Sequence, residues 1–351
     1  MKKELADIPV SVLDLATIVE GGTPSDSFRK SLEVARRVEA LGYNRYWFAE
    51  HHNMENIASS ATSVLIGHIA GGTSTIRVGS GGVMLPNHAP LVIAEQFGTL
   101  ESLYPGRIDL GLGRAPGTDQ FTSLALRRKL NGSVDEFPED VIELRNYLAP
   151  KNINARVRAI PGEGTEVPLW LLGSSTYSAQ LAAALGLPFA FASHFAPTHL
   201  HDALEIYHRR FTPSDQLRHP YSMACVNVIA ADSDEEAQYL ASSFYRLALG
   251  IVTGKRKPMQ PPVESMEGLW AEYEKEAVMQ MMQYTFIGNA KTVQKGLQAF
   301  LNDTGVDEIM VASYIYDNAL KIRSYELIAP FFKKAENSPG ISSCKSIKTH
   351  P

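Results

Sequence analysis

The chain reads Trp47-Phe48-Ala49-Glu50-His51-His52-Asn53 where a short apolar run gives way to polar and basic side chains. Two further runs change character in the same way, Val78-Gly79-Ser80-Gly81-Gly82-Val83-Met84-Leu85-Pro86 and Ile108-Asp109-Leu110-Gly111-Leu112-Gly113-Arg114. In α/β proteins, the residues that follow the strands form the active site. The three runs therefore predict an α/β fold whose site is built from strand ends.

On either side of these runs, apolar β-rich stretches alternate with segments of helical periodicity, which is typical of βαβ units and a parallel sheet. Eight strands are predicted, at Val10–Leu15, Arg45–Ala49, Val78–Met84, Ile108–Leu112, Leu169–Leu172, Phe189–Ala192, Ala224–Ala230 and Glu308–Ala312. Eight strands favour a (β/α)₈ TIM barrel, although an open doubly wound sheet gives a similar pattern.

The predicted barrel has insertions after its fourth strand, over residues 115–167, and after its seventh, over residues 250–268. We expect the second insertion to form a mobile loop. Ser25 is predicted to cap a helix that runs through Leu41. One barrel domain is expected over residues 1–336, followed by a flexible tail over 337–351 that lacks apolar periodicity.

Composition excludes several classes of protein. The 351 residues are 44% hydrophobic and 20% charged, which suffices for a large buried core. The formal charge is −5, and the chain lacks a basic run interleaved with aromatic residues, which argues against nucleic-acid binding. No apolar stretch reaches membrane-spanning length, so we predict a cytoplasmic protein without membrane contact. Cys225 and Cys344 form neither a disulfide framework nor a metal motif.

A candidate anion site follows the fifth predicted strand, where the chain reads Gly173-Ser174-Ser175-Thr176-Tyr177-Ser178 and enters a helix. Hydroxyl groups and free backbone N–H groups at a helix N-terminus suit a phosphate, although the serines can equally serve only as a helix cap. Arg114 ends the fourth strand and can pair with an anionic group there, or remain a solvated loop charge.

His51 is the candidate acid–base group, because an imidazole titrates near neutral pH. A purely structural role stays open for it and for His52. Adjacent histidines cannot share one helix face, and no further carboxylate–histidine cluster is evident, so no metal site is predicted. The run Gly79-Ser80-Gly81-Gly82 indicates unusual backbone angles, a flat molecule against the main chain, or simply a tight turn.

In their order and spacing, these runs resemble those of the bacterial luciferase-like flavin monooxygenases. The likeness continues through Pro168-Leu169-Trp170-Leu171-Leu172-Gly173-Ser174-Ser175 and Glu308-Ile309-Met310-Val311, and it covers most of the chain. Gly113 departs from the pattern, since luciferases carry a reactive cysteine at that position. This difference argues against luciferase-like aldehyde handling and light emission.

The resemblance implies a barrel that holds FMN at the C-terminal ends of its strands. His51 corresponds to the family's catalytic-site histidine, with Glu50 beside it as the second catalytic residue. The Gly81–Gly82 bond lies where luciferases have a non-proline cis peptide under the flavin. By the same likeness, Arg114 contacts the flavin and its phosphate region, and the phosphate-binding segment comprises Ser174, Ser175 and Ser178.

The implied reaction uses reduced FMN (FMNH₂), supplied by a separate flavin reductase, and O₂ as co-substrate. A C4a-(hydro)peroxyflavin would oxidise a small organic substrate, whose identity the sequence does not reveal. Three alternatives remain: a deazaflavin (F420)-dependent hydride-transfer enzyme, a flavin-binding protein without turnover, and a metal-dependent hydrolase using His51 and His52. The resemblance also implies a homodimer, for which the helix residues Phe97, Leu100, Leu103 and Tyr104 are a candidate surface, although they can equally be core residues.

Overall fold

The computed structural model describes residues 3–115, 117–126 and 136–332 of the chain. The predicted tail over 337–351 and Cys344 lie outside the described residues. The described strands are β1 Val10–Asp14, β2 Arg45–Phe48, β3 Arg77–Met84, β4 Ile108–Gly113, β5 Leu169–Gly173, β6 Phe189–Phe191, β7 Ser222–Ala231, β8 Thr285–Asn289 and β9 Glu308–Ala312.

Helices connect these strands. They are α1 Pro24–Ala40, α2 Thr62–Gly72, α3 Pro90–Leu103, α4 Gln120–Leu126, α5 Phe137–Leu148, α6 Thr176–Leu185, α7 Leu200–Arg210, α8 Asp234–Val252, α9 Glu272–Met281, α10 Ala290–Thr304 and α11 Asn318–Ile328. Within the described residues, none of these helices has both the length and the apolar character that a membrane span requires.

The sheet closes into a ring. Strands β1 to β6 pair in chain order, β6 pairs with β7, and β9 lies between β7 and β1, all in parallel. The pairing of Phe189 with Ser222 closes the ring, because it joins β6 to β7. The predicted (β/α)₈ TIM barrel is confirmed, and the open doubly wound sheet is excluded.

Strand β8 was not predicted. It pairs with the C-terminal half of β7, with Asn227 opposite Thr285, and lies outside the eight-strand ring. Its sequence, Thr285-Phe286-Ile287-Gly288-Asn289, is half-buried for most of its length and contains only two large apolar side chains. This short signal is too weak for sequence reasoning to separate from a loop.

Most of the predicted insertion after β7 has no regular helix or strand. Helix α8 extends to Val252, and residues 253–271 connect it to α9. The backbone of Met259 is anchored to the loop after β1, donating to the Ile18 carbonyl at 2.9 Å and accepting from the Glu20 N–H at 2.8 Å. This segment therefore packs against the strand ends at the barrel mouth.

Helix α1 begins one residue before the predicted cap. Thr23, not Ser25, is the N-cap, and its side chain accepts from the Asp26 N–H at 3.2 Å while Asp26 accepts from the Thr23 N–H at 3.1 Å. Pro24 occupies the first helical position, where its fixed φ and missing N–H are compatible with a helix start. The reciprocal hydrogen bonds decide the boundary.

The barrel interior is apolar in its middle and ionic at its N-terminal end. Trp47 and Trp170 meet edge to face in the middle, with ring centroids 5.1 Å apart. Below them the Arg45 guanidinium lies 2.7 Å from Asp109 and 3.1 Å from Glu308, and all three side chains are buried. The bottom of the barrel is thus closed by paired charges, and its C-terminal end is left to carry a site.

Two of the four candidate dimer-surface residues belong to the core, which is the alternative that the sequence leaves open. Phe97 and Leu100 are buried in the core between the barrel and its helices, because they lie on the inward face of α3. Leu103 remains exposed, and so do the apolar side chains of Val64 on α2 and Val92 on α3.

Candidate active site

Glu50 follows β2, and its side chain is buried. Its Oε1 accepts hydrogen bonds from Nε2 of His52 at 2.9 Å and from Nε2 of His88 at 2.8 Å, and its Oε2 accepts from the Met84 N–H at 3.3 Å. Burial raises the pKa of Glu50, but the hydrogen bonds from both histidines outweigh it and hold the pKa below its usual range. Glu50 is therefore a buried carboxylate that joins the ends of β2 and β3.

The sequence shows no further histidine cluster around Glu50 and His52, but the structure brings His88 to them. His88 follows the turn Leu85–Asn87 after β3, and the ligand atoms of Glu50, His52 and His88 all lie within 4.8 Å of one another. These are residue types that bind zinc. The carboxylate already accepts from three donors, however, so we interpret the cluster as a hydrogen-bonded triad.

The His51 ring contacts the loop after β4. Its Nδ1 lies 3.3 Å from the Gly117 carbonyl oxygen. Because a carbonyl oxygen only accepts, this contact assigns the proton of the neutral ring to Nδ1 and leaves Nε2 as an acceptor. Burial lowers the pKa of His51, and the nearby Arg256 charge adds to the effect. His51 is thus a partly buried imidazole that favours its neutral form.

Arg256 belongs to the segment between α8 and α9, and its Nη1 lies 3.3 Å from the Met54 sulfur. The contact places this segment over the loop after β2, close to His51.

The glycines of β3 have a structural explanation at two positions. A Cβ at Gly79 would lie 2.6 Å from the Asp109 carbonyl oxygen, and a Cβ at Gly82 would lie 2.7 Å from the Gly111 carbonyl oxygen. The close approach of β4 therefore accounts for both glycines. The Gly81–Gly82 peptide bond is cis, as the resemblance implied.

The candidate phosphate site forms at the start of α6. Ser175 is the N-cap, yet its side chain makes no capping hydrogen bond, so the first N–H groups of the helix lack that partner. The Arg114 guanidinium lies over the Tyr177 ring, 4.0 Å from its centroid, which brings the end of β4 to the first turn of α6. Backbone donors and a cation converge here, as a phosphate requires.

The three predicted serines differ in exposure. Ser174 is exposed and Ser175 is half-buried, whereas Ser178 is buried in the first turn of α6. A Cβ at Gly173 would lie 2.6 Å from the Ser178 Oγ, so the hydroxyl packs against the strand end. The structure thus leaves two hydroxyls open to an anion at this helix start.

Sequence reasoning missed His194 and Tyr177 as well as His88. His194 follows β6 almost directly, so the rule that drew attention to His51 also applied to it. His194 is 8% exposed and packs edge to face against Phe195. For Tyr177 the sequence held no signal, because its contact with Arg114 joins two separate strand ends.

Comparisons with known proteins place the chain among monooxygenases. The sequence model of the luciferase-like monooxygenase family matches residues 8–308. An Escherichia coli K12 protein named luciferase-like monooxygenase is 53% identical over 320 residues, covering 91% of this chain and 96% of that protein. The N-acetyl-S-alkylcysteine monooxygenase of Bacillus subtilis is 38% identical over 237 residues, covering 66% of this chain and 70% of that protein.

Solved structures share the barrel. The crystal structure of apo-MsnO8 is 35% identical in sequence, with a TM-score of 0.83 over 92% of this chain and 98% of that one. The oxygenating constituent of 3,6-diketocamphane monooxygenase from Pseudomonas putida, in complex with FMN, has a TM-score of 0.70 at 18% identity over 97% of this chain and 100% of that one.

An F420-dependent secondary alcohol dehydrogenase has a TM-score of 0.67 at 16% identity, over 93% of this chain and 99% of that one. At such identities the last two structures establish only a common fold, which accommodates either cofactor. The family match over residues 8–308, together with the Escherichia coli relative that is 53% identical over 91% of this chain, shows that this chain belongs to the luciferase-like monooxygenases.

Proposed function

We propose that the protein is an FMN-dependent monooxygenase that uses reduced FMN and O₂ to oxidise a small organic substrate. Relatives that are 53% and 38% identical carry the name of monooxygenases, whereas the F420-dependent neighbour is only 16% identical. The observation that carries the proposal is the Arg114 guanidinium stacked on Tyr177, at a helix start without a side-chain cap.

The residues at the rim fit a flavin mononucleotide. Its phosphate requires several donors in one place, and these are offered by the first turn of α6, the exposed Ser174 and the Arg114 guanidinium. F420 also contains phosphate, so this site supports a phosphate-bearing flavin in general. The relatives that are named monooxygenases favour FMN.

Bound reduced flavin supplies the electrons for the reaction with O₂, and the protein supplies position, exclusion of water and proton transfer. Arg114 and the start of α6 would fix the phosphate end. The apolar interior beneath, around Trp47 and Trp170, excludes water from below. His51 would accept a proton at Nε2, since Nδ1–H is directed to the Gly117 carbonyl.

The experiment is a turnover assay with chemically reduced FMN, isotopically labelled O₂ and an N-acetyl-S-alkylcysteine as the first substrate, chosen because a relative is named for it. We expect label from O₂ in a product. Consumption of reduced F420 without O₂ uptake would instead favour the hydride-transfer alternative. Tight FMN binding without oxidation of any member of a panel of thioethers, ketones and alkanes would favour a flavin-binding protein.

The proposal includes a separate flavin reductase and a homodimer. Light scattering at micromolar concentration checks the second part, because a dimer has twice the 38.5 kDa mass of the chain. The exposed Val64, Val92 and Leu103 on α2 and α3 are the apolar side chains from which we expect such an interface to form. A monomer at that concentration would contradict it.

A further inference from the structure

His194 and His51 lie on opposite walls of the barrel mouth. His51 follows β2 and His194 follows β6. In the closed ring, β3, β4 and β5 separate these strands on one side, and β7, β9 and β1 separate them on the other. Even so, His51 is near enough to disfavour protonation of His194 electrostatically. Both residues thus belong to the same rim, at the C-terminal ends of the ring strands.

The backbone that carries His194 is held firmly. Asn227 on β7 donates from Nδ2 to the His194 carbonyl at 2.6 Å and to the Thr285 hydroxyl at 3.1 Å. Thr285 belongs to β8, the strand that lies outside the barrel ring, and it stands opposite Asn227 in the β7–β8 register. The extra strand thus supports the loop from which His194 projects.

The His194 side chain lacks a hydrogen bond that a buried imidazole normally makes. Its Nδ1 is inaccessible and has no hydrogen-bond partner among the described residues. A buried polar atom without a partner is unfavourable and rare in folded proteins, so each case calls for a cause. Burial also lowers the pKa of His194 to about 3, which keeps the ring uncharged at neutral pH.

We infer that His194 is a second ligand-binding imidazole of the active site, whose Nδ1 forms its hydrogen bond only when a ligand fills the mouth between it and His51. The inference rests on the proposed function and extends it. An uncharged ring offers a hydrogen bond but no counter-charge. The group it recognises is therefore uncharged and polar, such as a carbonyl, amide or hydroxyl, on either the substrate or the flavin ring.

Two substitutions separate this role from a structural one. His194→Phe keeps a flat ring against Phe195 but removes Nδ1, and His194→Asn keeps a polar atom near the position of Nδ1. We expect His194→Phe to raise the midpoint of thermal unfolding of the free protein, because it removes the unpartnered atom. We expect the same variant to bind its ligand about 10-fold more weakly, with His194→Asn restoring most of the loss.

Two measurements show whether His194 binds the flavin or the substrate. FMN affinity is measured by quenching of flavin fluorescence, and KM is measured with an N-acetyl-S-alkylcysteine and reduced FMN. A weaker FMN affinity in His194→Phe assigns the hydrogen bond to the flavin, and a higher KM with unchanged FMN affinity assigns it to the substrate. Either result supports the inference.

The matched control is His208→Phe, on α7 outside the barrel, where Nε2 already lies 3.2 Å from the Ser222 hydroxyl. This variant should gain no stability and keep both binding constants. The inference is overturned if His194→Phe unfolds at a lower temperature than the parent, or if neither FMN affinity nor KM changes. Thermal unfolding is measured without a ligand. If the parent protein binds no FMN, the proposed function is refuted, but the unfolding comparison still tests the role of His194.

Discussion

Oε1 of Glu50 lies 2.8 Å from Nε2 of His88, although 38 positions separate them in the chain. The two residues meet because β2 and β3 are neighbours in the ring and their C-terminal ends reach the same rim. The carboxylate also binds His52, so one buried charge ties two strand ends together beside His51.

Replacing Glu50 should weaken this junction. Glu50→Gln removes the charge that both imidazoles donate to, and we expect a loss of about 2–3 kcal/mol in the free energy of unfolding at pH 7. The pKa of Glu50 is lowered in the folded state, so its contribution is present above the unfolded value of 4.5 and is lost as the pH falls through the lower, folded value.

Urea unfolding followed by circular dichroism, at pH 7 and at pH 3.5 or below as far as the protein stays folded, measures both effects. The exposed Glu55 provides the control, because Glu55→Gln should leave the free energy unchanged. Equal losses in the two variants at pH 7, or a gap that widens in acid, would show that the Glu50 junction does not stabilise the fold.

Metal removal should have little effect. The Glu50 carboxylate already accepts from three donors, so we expect the midpoint of thermal unfolding to stay the same after dialysis against a strong chelator. Zinc should not raise the midpoint either. A zinc-dependent increase that disappears in His88→Ala would instead establish a metal site at Glu50, His52 and His88.

His51 should matter for turnover more than for folding. Its Nδ1 contact with the Gly117 carbonyl is long, at 3.3 Å, so little stability depends on it. Loss of a positioned acid–base group slows a reaction by about 10²–10⁴-fold. We expect His51→Ala to keep FMN affinity and thermal stability while kcat falls in that range.

His52→Ala is the matched comparison for His51→Ala. Because His52 binds Glu50, its removal should cost more stability and less activity. If His51→Ala turns over like the parent, or fails to fold, the acid–base role is wrong.

Arg114 should contribute to flavin binding. It brings a permanent charge to the start of α6, and we expect Arg114→Ala to weaken FMN binding by about 1–3 kcal/mol, the range for hydrogen bonds to charged groups. Fluorescence titration with FMN measures the change. Arg156→Ala, which removes an exposed charge from the connection before β5, should bind FMN like the parent. Unchanged affinity in Arg114→Ala would place the phosphate elsewhere.

The charges at the bottom of the barrel should be essential for stability. Burial opposes ionisation of Asp109, but Arg45 and Arg77 outweigh it and lower the pKa of Asp109. Asp109→Asn removes a carboxylate that pairs with the buried Arg45 guanidinium. We therefore expect the free energy of unfolding to fall by about 3–5 kcal/mol. Urea unfolding checks this value.

Glu205→Gln provides the control for Asp109→Asn. It breaks the exposed ion pair with Arg209 and should change the free energy of unfolding by less than about 1 kcal/mol. A similar small change in Asp109→Asn would mean that the barrel tolerates the buried guanidinium without its partner.

Much of the architecture follows from local sequence. Most of the eight ring strands are short apolar runs between turns, so their signal depends only on neighbouring residues. The strand ends at Glu50 and Arg114 were located in the same way, and the start of α6 was indicated by its serines. By contrast, β8 went unrecognised because two large apolar side chains are too few to distinguish a strand from a loop.

The amino-acid sequence by itself determined the number of ring strands, the end of the barrel that carries polar residues, and the family resemblance, because these depend on short-range patterns. Only the tertiary structure decided which side chains meet. It joined Glu50 to His88, Arg114 to Tyr177, and Asn227 to both His194 and Thr285. Ring closure and strand register fix these contacts between distant residues, and no local pattern encodes them.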